Sequence, residues 1–239
     1  MIVSAHQPHF LPWLGYINKI DRSDTFIWLD TVQYRKNYFQ NRCRIRWTDG
    51  REQWLTVPVR ASSDTAISDV KIADPGWNRR TAMTLQQAYG KAPYFKEYWP
   101  SIEEALLRPH EGLSEVSWHL LMPVLSALGL ERVRLVRASE MAIEAEDPNE
   151  RLTLLCRAVG ASTYLAGRGG HKYMDVEVFA KAGVSICWQE FDPSRTAYSR
   201  DGKEEDILGF SVIDALFHVG AERTLALARR GWSPEPGCE

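Results

Sequence analysis

Short apolar runs and segments of helical periodicity alternate along most of the chain. The runs IVSA at 2–5 and DTFIWLD at 24–30 are apolar or small at nearly every position, which is typical of strands covered on both faces of a sheet. Between them, residues 11–20 place an apolar side chain every third position, which predicts a short helix. This alternation predicts an α/β fold with a largely parallel sheet.

Start and stop signals define several later elements. In DPNERLTLLCRAVG, Asp147 is the expected N-cap, Pro148 takes the first helical position and Gly160 ends the helix. Gly220 is expected to divide the last helical segment in two. The other predicted elements are strands over 53–59, 132–136, 162–167 and 184–189, two helices within 77–107 that break near Ala92-Pro93, and helices over 112–128, 175–182, 211–219 and 221–229.

Length and composition fit an ordinary globular protein. With 239 residues, 44% of them hydrophobic, the chain can form one large domain or two small ones. We expect a single α/β domain over 1–230, in which 77–130 is a helical insertion or subdomain, followed by a flexible tail over 231–239. The formal net charge of −2 excludes a polycation built to coat nucleic acid. Nine Trp and nine Tyr fit a ligand-enclosing pocket, and equally a core rich in tryptophan.

Targeting signals are not recognised in the sequence. The first residues lack a basic region followed by a long apolar one, and no stretch reaches the roughly 18 apolar residues that a membrane span needs. The four cysteines are far apart and form no CxxC pair, so a zinc cage is not indicated. We therefore expect a cytoplasmic protein without a membrane span.

Polar side chains follow the first strand directly. In SAHQPHFLPW, His6 and Gln7 come at the strand end, and ligands bind outside the carboxyl ends of strands in open α/β sheets. His6 is a candidate acid or base, or a donor to a phosphate or carboxylate. The alternative is that both side chains only satisfy the backbone of a loop.

The second strand leads into a basic stretch. Asp30, Gln33 and Tyr34 follow this strand, and no acidic residue occurs between Asp30 and Asp49. Cations interleaved with aromatic residues suit a polyphosphate, a nucleotide or a nucleic-acid backbone, although a solvated basic strand would look the same. If 42–46 is a strand, its three arginines share one face. The five cations are Arg35, Lys36, Arg42, Arg44 and Arg46.

Two further motifs carry weaker signals. The glycine-rich segment YLAGRGGHKYMD, at 164–175, lies between a predicted strand and helix, where backbone N–H groups can approach an anion. Its spacing matches neither GxGxxG nor the Walker loop, so a plain turn explains it nearly as well. Asp214 and His218, four residues apart in a predicted helix, could share a proton or face a pocket, and an amphipathic helix also accounts for them.

Motifs of metal and nucleophilic catalysis are not evident. His6 and His9 lack the accompanying Glu of a metalloprotease helix, there is no GxSxG elbow, and no Cys has a partner His within a motif. The sequence therefore does not support a metal requirement.

Five segments, in order from residue 1 to about 220, resemble the WbqC-like family: AHQPHFLPWLGYINKI, SDTFIWLDTVQYRKNYFQNRCRI, WLTVPV, YLAGRGGHKYMD and FSVIDALFHVG. That family occurs in bacterial surface-polysaccharide and other biosynthetic loci, which implies modification of an amino sugar or related amine by an acyl or aminoacyl group. The family pattern maps onto His6, Gln7, Pro8, Pro12, Gly15, Tyr16, Asp30, Gln33, Tyr34, Lys36, Gln40, Asn41, Arg42, Gly167, Tyr173, Ser211 and Asp214.

The opening of the chain is also similar to that of nucleotidylyltransferases, pantothenate synthetase in particular. The shared features are a strand, a Pro/His loop, a helix and a second strand ending in VQY. This likeness implies a mostly parallel Rossmann-like (HUP-like) sheet flanked by helices, with an additional helical segment, and ATP or another nucleotide as cofactor. It is an analogy of fold only, because Gly15-Tyr16 stands where those enzymes carry a second histidine.

Our working hypothesis is a transferase or ligase that attaches an acyl or aminoacyl group to an amine of a small phosphorylated substrate, such as a nucleotide-linked amino sugar or a natural-product intermediate. His6 would act as general base or steady an oxyanion, and Asp30 would orient His6 or the ammonium. Gln7 and Tyr34 complete the catalytic set. The substrate- and anion-binding set is Gln33, Lys36, Asn41, Arg42, Arg44, Gly167, Arg168, Gly169, Gly170, Tyr173 and Asp214.

Three alternatives remain open at this point. A transferase that uses a sugar nucleotide directly would need no ATP. A protein that binds nucleic acid or aminoacyl-tRNA through residues 35–47 would lose affinity steeply as salt rises. A structural role, in which the polar motifs brace a loop-rich scaffold, is the third.

Overall fold

Five parallel strands form the centre of the computed structural model, which describes residues 1–62, 64–200, 203–205 and 209–234. In chain order the strands are β1 (Ile2–His6), β2 (Thr25–Trp28), β3 (Arg42–Arg46), β4 (Glu52–Thr56), β5 (Val59–Arg60), β6 (Lys71–Ile72), β7 (Arg134–Arg137), β8 (Thr163–Gly167), β9 (Ser185–Phe191), β10 (Tyr198–Arg200), β11 (Lys203–Glu205) and β12 (Trp232–Pro234). The helices are α1 (Leu14–Asp21), α2 (Trp77–Tyr89), α3 (Phe95–Leu107), α4 (Leu113–Ala127), α5 (Pro148–Ala158), α6 (Val176–Lys181) and α7 (Val212–Arg230).

The main sheet has the strand order β12-β9-β8-β1-β2-β7, and every neighbouring pair except β12–β9 is parallel. Counted along the chain, its parallel strands stand in the order 3-2-1-4-5 of a doubly wound, Rossmann-like sheet. The predicted α/β class is confirmed. The strand order reverses between β1 and β8, so the crevice where such sheets bind ligands lies near their final residues, His6 and Gly167.

Helices cover both faces of this sheet. All four residues of β2 are buried, as the apolar run predicts. Because successive side chains of a strand alternate, Phe26 and Trp28 join the larger core with α1–α4 and α7, whereas Ile27 joins the smaller core with α5 and α6. Two apolar cores therefore enclose one sheet, which is why its strands read as continuous apolar runs.

The long connection from β2 to β7 supplies α2, α3 and α4, the helices expected within 77–130. The predicted break near Ala92-Pro93 lies between Tyr89 and Phe95. Apolar residues of these helices belong to the same core as β2. The helical segment thus packs on the sheet through the larger core.

Four short strands of the same connection lie outside the main sheet. The strand predicted over 53–59 is divided: β4 ends at Thr56 and pairs antiparallel with β3, while β5 follows Pro58 and pairs with β6. Pro58 has no N–H to donate to a ladder, which explains the break. In β3 the predicted alternation is confirmed, since Cys43 and Ile45 are buried and the arginines lie on the other face.

The ends of several elements follow the expected chemistry. The Asp147 side chain caps α5 by accepting from the N–H groups of Asn149 and Glu150 at 2.9 and 2.8 Å.

The sequence predicts a flexible tail over 231–239. Within it, Trp232–Pro234 pair with β9, and 235–239 lie outside the described residues. Among the described residues, no helix has the length and apolar character that crossing a membrane requires.

The backbone of α7 breaks its helical conformation at Gly220, where the sequence predicts a division. Its φ of 77° and ψ of 173° lie in a region that is essentially restricted to glycine. A Cβ placed there would stand 3.0 Å from the Tyr94 ring. Both the backbone and the neighbouring ring therefore require glycine.

Gly220→Ala should destabilise the protein by about 2–4 kcal/mol, because the strained backbone alone costs about 1–3 kcal/mol and the Tyr94 ring must also move. Gly129→Ala is the matched control, since Gly129 also has a positive φ of 65° but no atom within 4 Å of the added Cβ. It should cost only about 1–2 kcal/mol. Urea unfolding of both variants checks the difference, and equal losses would contradict the assignment.

Candidate functional site

The carboxyl end of β1 carries a polar cluster around the backbone carbonyl of Gln7. This oxygen accepts hydrogen bonds from His6 Nδ1 at 3.0 Å and from the Tyr16 hydroxyl at 3.1 Å. The Gln7 side-chain oxygen accepts from the amide of Gln40 at 2.7 Å, and the Gln40 oxygen accepts from the Arg35 N–H. The chain's own groups thus hold His6 and Gln7 in place.

His9 lies in a stack of aromatic rings beside this cluster. His9 is 3% exposed, and the centre of its ring lies 5.0 Å from the ring centre of Tyr16 and 5.6 Å from that of Phe39. Among the described residues, neither ring nitrogen of His9 has a hydrogen-bond partner. Two residues later, Leu11 has a φ of 45°, which persists in a non-glycine residue only where packing fixes the backbone.

Burial keeps the histidines of this cluster neutral. Burial and the positive charge of Lys19 lower the pKa of His6 to about 3, against the opposing hydrogen bond to Gln7. Burial, with His6 nearby, also lowers the pKa of His9 well below its ordinary value. A base with so low a pKa accepts protons poorly. The low pKa and the hydrogen bond to Gln7 therefore favour a hydrogen-bonding and packing role for His6 over the role of a general base.

Lys19 completes this cluster from α1. Its ammonium donates to the Ala5 carbonyl at 3.3 Å, and burial lowers its pKa to about 8. A Cβ on Gly167 would stand 3.5 Å from the same nitrogen. The ends of β1 and β8 therefore meet at a buried lysine that is close to its own titration point at neutral pH.

Asp30, two residues beyond β2, sits in a different set of hydrogen bonds. The residue is 2% exposed, and its carboxylate accepts from the Ser139 N–H at 3.0 Å, the Ser139 hydroxyl at 2.8 Å and the Ser114 hydroxyl at 3.3 Å. The Trp28 indole N–H donates to the same Ser114 hydroxyl at 3.0 Å. In the described part of the chain, His6 bonds to Gln7 and not to Asp30.

A cleft of about 560 Å³ opens above Asp30, at the carboxyl ends of β2 and β7. This volume is within the usual range for small-molecule sites. The cleft presents carboxylates, cations and imidazole together, and hydroxyl groups lie between them. The charged and titratable residues lining it include Asp30, Lys71, His110, Glu111, Glu115 and Arg137.

Three possible metal ligands gather at the wall of this cleft. His110 precedes α4, and Glu115 and His119 lie on its first turns; their ligand atoms are all within 4.8 Å of one another. In the sequence, Glu115 and His119 stand four residues apart within the helix predicted over 112–128, and His110 lies just before it. This spacing is the one sequence feature that could have indicated the group. The pattern has no established motif, so only the fold brings the three together.

The basic hairpin β3–β4 engages its arginines internally. Arg44 pairs with Glu52, which faces it diagonally from β4. Arg42 donates to the Asn37 carbonyl, and its guanidinium lies 4.1 Å from the centre of the Trp54 ring. The next strand therefore supplies a counter-ion for Arg44.

In the segment between β2 and β3, the predicted site residues make separate contacts and do not form one cluster. Tyr34 is buried, and burial raises its pKa against the opposing charge of Arg42. The Asn41 amide donates to the Val57 carbonyl at 3.0 Å. Gln33 forms an isolated bridge with Ala66, and Lys36 is exposed.

The glycine segment after β8 forms a short 3₁₀ turn over Arg168–Lys172, which includes Gly169 and Gly170. Helix α6 begins only at Val176, and the Asp175 side chain caps it by accepting from the Glu177 N–H at 2.9 Å. A carboxylate thus occupies the helix end at which the sequence suggests an anion. Tyr173 is exposed beside this turn.

Asp214 lies in the first turn of α7 and is buried. Its carboxylate accepts from the hydroxyls of Tyr89, at 2.7 Å, and Tyr198. His218 Nδ1 donates to the Asp214 backbone carbonyl at 2.8 Å. None of these four residues lines the cleft in the described part of the chain. The hydrogen bonds of Asp214 join α7 to α2 and to β10.

The model of the WbqC-like protein family matches residues 7–225. The chain belongs to this family. It is also similar to "Uncharacterized protein Rv1507c" of Mycobacterium tuberculosis, with 31% identity over 223 residues that cover 92% of this chain and 94% of the relative. Comparison with solved structures gives no significant match.

The region matched by the WbqC-like family contains the cleft around Asp30 and all of the cluster at the end of β1 except Ala5 and His6. It begins at Gln7 and includes Asp30 and the residues from His110 to His119. The family likeness expected from the sequence is therefore confirmed. The catalytic and binding roles that the sequence suggests for individual residues stay predictions.

The charge states of His6 and Lys19 predict two separate pH windows of stability. Unfolded His6 binds protons below about pH 6.5 and folded His6 only near pH 3, so the free energy of unfolding falls as the pH drops through this range. Folded Lys19 loses its proton near pH 8 and unfolded Lys19 near 10.5, so the contribution of Lys19 to stability rises with pH across that interval. The buried thiols of Cys43 and Cys156, whose pKa values burial raises, contribute in the opposite direction.

His6→Asn should reduce the slope between pH 5 and 6 by about 1 kcal/mol per pH unit, because it removes the titrating group and keeps a donor for Gln7. Lys19→Met should lower the slope between pH 9 and 10 by about 1 kcal/mol per pH unit and leave an acidic slope. Urea unfolding across pH checks both variants, and each serves as the other's control. Unchanged slopes in both would contradict the charge states.

Proposed function

We propose that this WbqC-like protein is a transferase or ligase that attaches an acyl or aminoacyl group to the amine of a phosphorylated acceptor, such as a nucleotide-linked amino sugar. The observation that carries the proposal is the cleft above Asp30, where carboxylates and cations line one space of about 560 Å³. Such an acceptor has a cationic amine and an anionic phosphate within one small molecule. A cleft with both charge types matches that combination.

The carboxylate of Asp30 suits the amine end of the acceptor. An ionised carboxylate has about four acceptor positions, and three hydrogen bonds to Asp30 are present in the structure. One position remains for a donor in the cleft.

Two cations of the cleft suit the phosphate end. Lys71 lies 3.9 Å from Glu111, and Arg137 lies 3.9 Å from Glu140. Ion pairs of this kind near the surface contribute little, so a phosphate can displace them. The Arg137 guanidinium also lies 4.4 Å from the centre of the Trp118 ring, which limits its movement.

The proposed reaction is the attack of the amine on an activated acyl carbon. The ammonium first loses one proton to a carboxylate in the cleft, because only the neutral amine has a lone pair. The nitrogen then forms a C–N bond, the donor's leaving group departs with the electron pair of the broken bond, and the second proton of the nitrogen passes to that leaving group or to water. Asp30 takes the binding role on the amine, while His6 braces the end of β1. The class of donor, whether a thioester, an adenylate or an aminoacyl-tRNA, is an outcome of the test.

The first test compares a nucleotide-linked amino sugar with its N-acetylated analogue by thermal shift. At 100 times its dissociation constant a ligand stabilises by about 2.7 kcal/mol, which is about 5–10 °C for a domain of this size. The free amine should give the larger shift. Asp30→Asn should remove this preference, and Lys71→Met should weaken both ligands equally.

Arg42→Gln is the matched control, because Arg42 is a cation of the hairpin and lies outside the cleft lining. If Arg42→Gln abolishes the shift and Lys71→Met does not, the phosphate site lies on the hairpin. If the amino sugar and its N-acetylated analogue bind with equal affinity, the protein does not recognise the free amine of the acceptor, which would contradict the proposal. Mass spectrometry of the acceptor, incubated with each donor class, then measures the transfer itself.

A second candidate function rests on an exposed aromatic surface. Tyr38 and Trp54 are each 41% exposed, and Arg42 lies against the Trp54 ring. Exposed aromatic rings beside basic side chains are typical of surfaces that stack bases of single-stranded nucleic acid. Binding of tRNA that weakens steeply with salt and is lost in Trp54→Ala would favour this function, and would also fit an aminoacyl-tRNA donor.

A further inference from the structure

The geometry points to a binding site for a divalent transition-metal ion, Zn²⁺ in the first place, formed by His110, Glu115 and His119 at the wall of the cleft. The Nδ1 atoms of His110 and His119 are 3.3 Å apart. Two nitrogens bound to one tetrahedral metal ion at 2.0–2.1 Å stand about 3.3–3.4 Å apart. The two imidazoles are therefore already at the separation that a shared ion requires.

The His110 ring is fixed in the tautomer that a metal ligand needs. Its Nε2 lies 2.8 Å from the Ala105 carbonyl oxygen, which can only accept, so Nε2 carries the hydrogen. The lone pair of the neutral ring then lies on Nδ1, towards His119. A backbone carbonyl in this position is a common outer partner of metal-binding histidines.

Glu115 supplies the third ligand from the same helix as His119. Its carboxylate lies within 4.8 Å of a ring nitrogen of each histidine, so a movement of about 1.5 Å would bring it to bonding geometry. Its other contact is a hydrogen bond from the Glu111 N–H at 3.2 Å. That contact comes from the turn before α4 and steadies the side chain close to the two rings.

The site would leave a coordination position open to the cleft. Three protein ligands, two imidazoles and a carboxylate, are typical of catalytic zinc sites, where a water or substrate fills the fourth position. His110 and Glu115 both line the cleft, and all three ligands are half-buried. An ion here would be accessible from the cleft while its ligands remain partly shielded from water.

Nearby cations have contacts of their own. Arg108 pairs with Glu104 at 2.9 Å, one turn earlier on α3. Arg137 stacks on Trp118 and lies 3.9 Å from Glu140. The competing interpretation of the cluster is a plain hydrogen bond between the two histidines, in which His119 Nδ1 donates to His110 Nδ1. That arrangement predicts no stoichiometric metal.

The test measures metal stoichiometry on the full chain without a polyhistidine tag. Chelator-treated protein is equilibrated with Zn²⁺, and bound metal is counted by elemental analysis; wild-type should bind one ion per chain. Glu115→Gln preserves the size of the side chain and should weaken binding at least about tenfold. His119→Gln should lower affinity further, and Co²⁺ should give a visible absorption spectrum in wild-type that both variants lose.

Two controls separate this site from adventitious binding. Glu111→Gln removes a carboxylate that lines the same cleft, and His171→Gln removes an exposed histidine 3.7 Å from Glu190; both should bind one ion as wild-type does. Circular dichroism of the apo-protein checks that each variant folds. Absence of stoichiometric metal in wild-type, or equal binding in all variants, would overturn the site. Because no substrate is involved, its outcome does not depend on the proposed transfer reaction.

Discussion

The carboxylate of Asp30 is the contact on which the rest of the candidate site depends. It gathers the Ser114 hydroxyl from α4 and both donors of Ser139, which follows β7, while the Asp30 carbonyl accepts from the Ser68 N–H at 2.9 Å. A buried charge is stable only when it is hydrogen-bonded in this way. One residue therefore joins the sheet, the helical segment and the turn before β6, and the cleft is the space between them.

The sheet and most helices could be predicted because each element carries its own signal. The apolar run of β2, the Asp147 cap and the break at Gly220 are local properties that neighbouring residues determine. The candidate site is different in kind. Ser114 and Ser139 lie 84 and 109 residues from Asp30, and nothing near Asp30 in the sequence indicates that two serines will complete its hydrogen bonds.

The basic stretch shows that a local sequence pattern can also suggest a site whose charges are paired by distant residues. Residues 31–48 contain no acidic side chain, which suggests an anion site when the stretch is read alone. The counter-ion of Arg44 is Glu52 on the paired strand, and only the register of the hairpin brings it there. Likewise, the turn before α4 brings His110 close to Glu115 and His119. No known spacing motif predicts this arrangement.

Trp28 links the two polar clusters at the edge of the sheet. Its indole N–H donates to Ser114 and so supports Asp30, while its ring lies 6.4 Å from Tyr16, which bonds to Gln7. On one side of Trp28, His6, Tyr16 and Gln40 bond to Gln7, the His9 ring is held by aromatic packing, and burial keeps both histidines neutral. On the other side, Asp30 lines a cleft that also holds cations. We therefore expect the crowded end of β1 to support the site and the chemistry to take place one strand away, at the cleft.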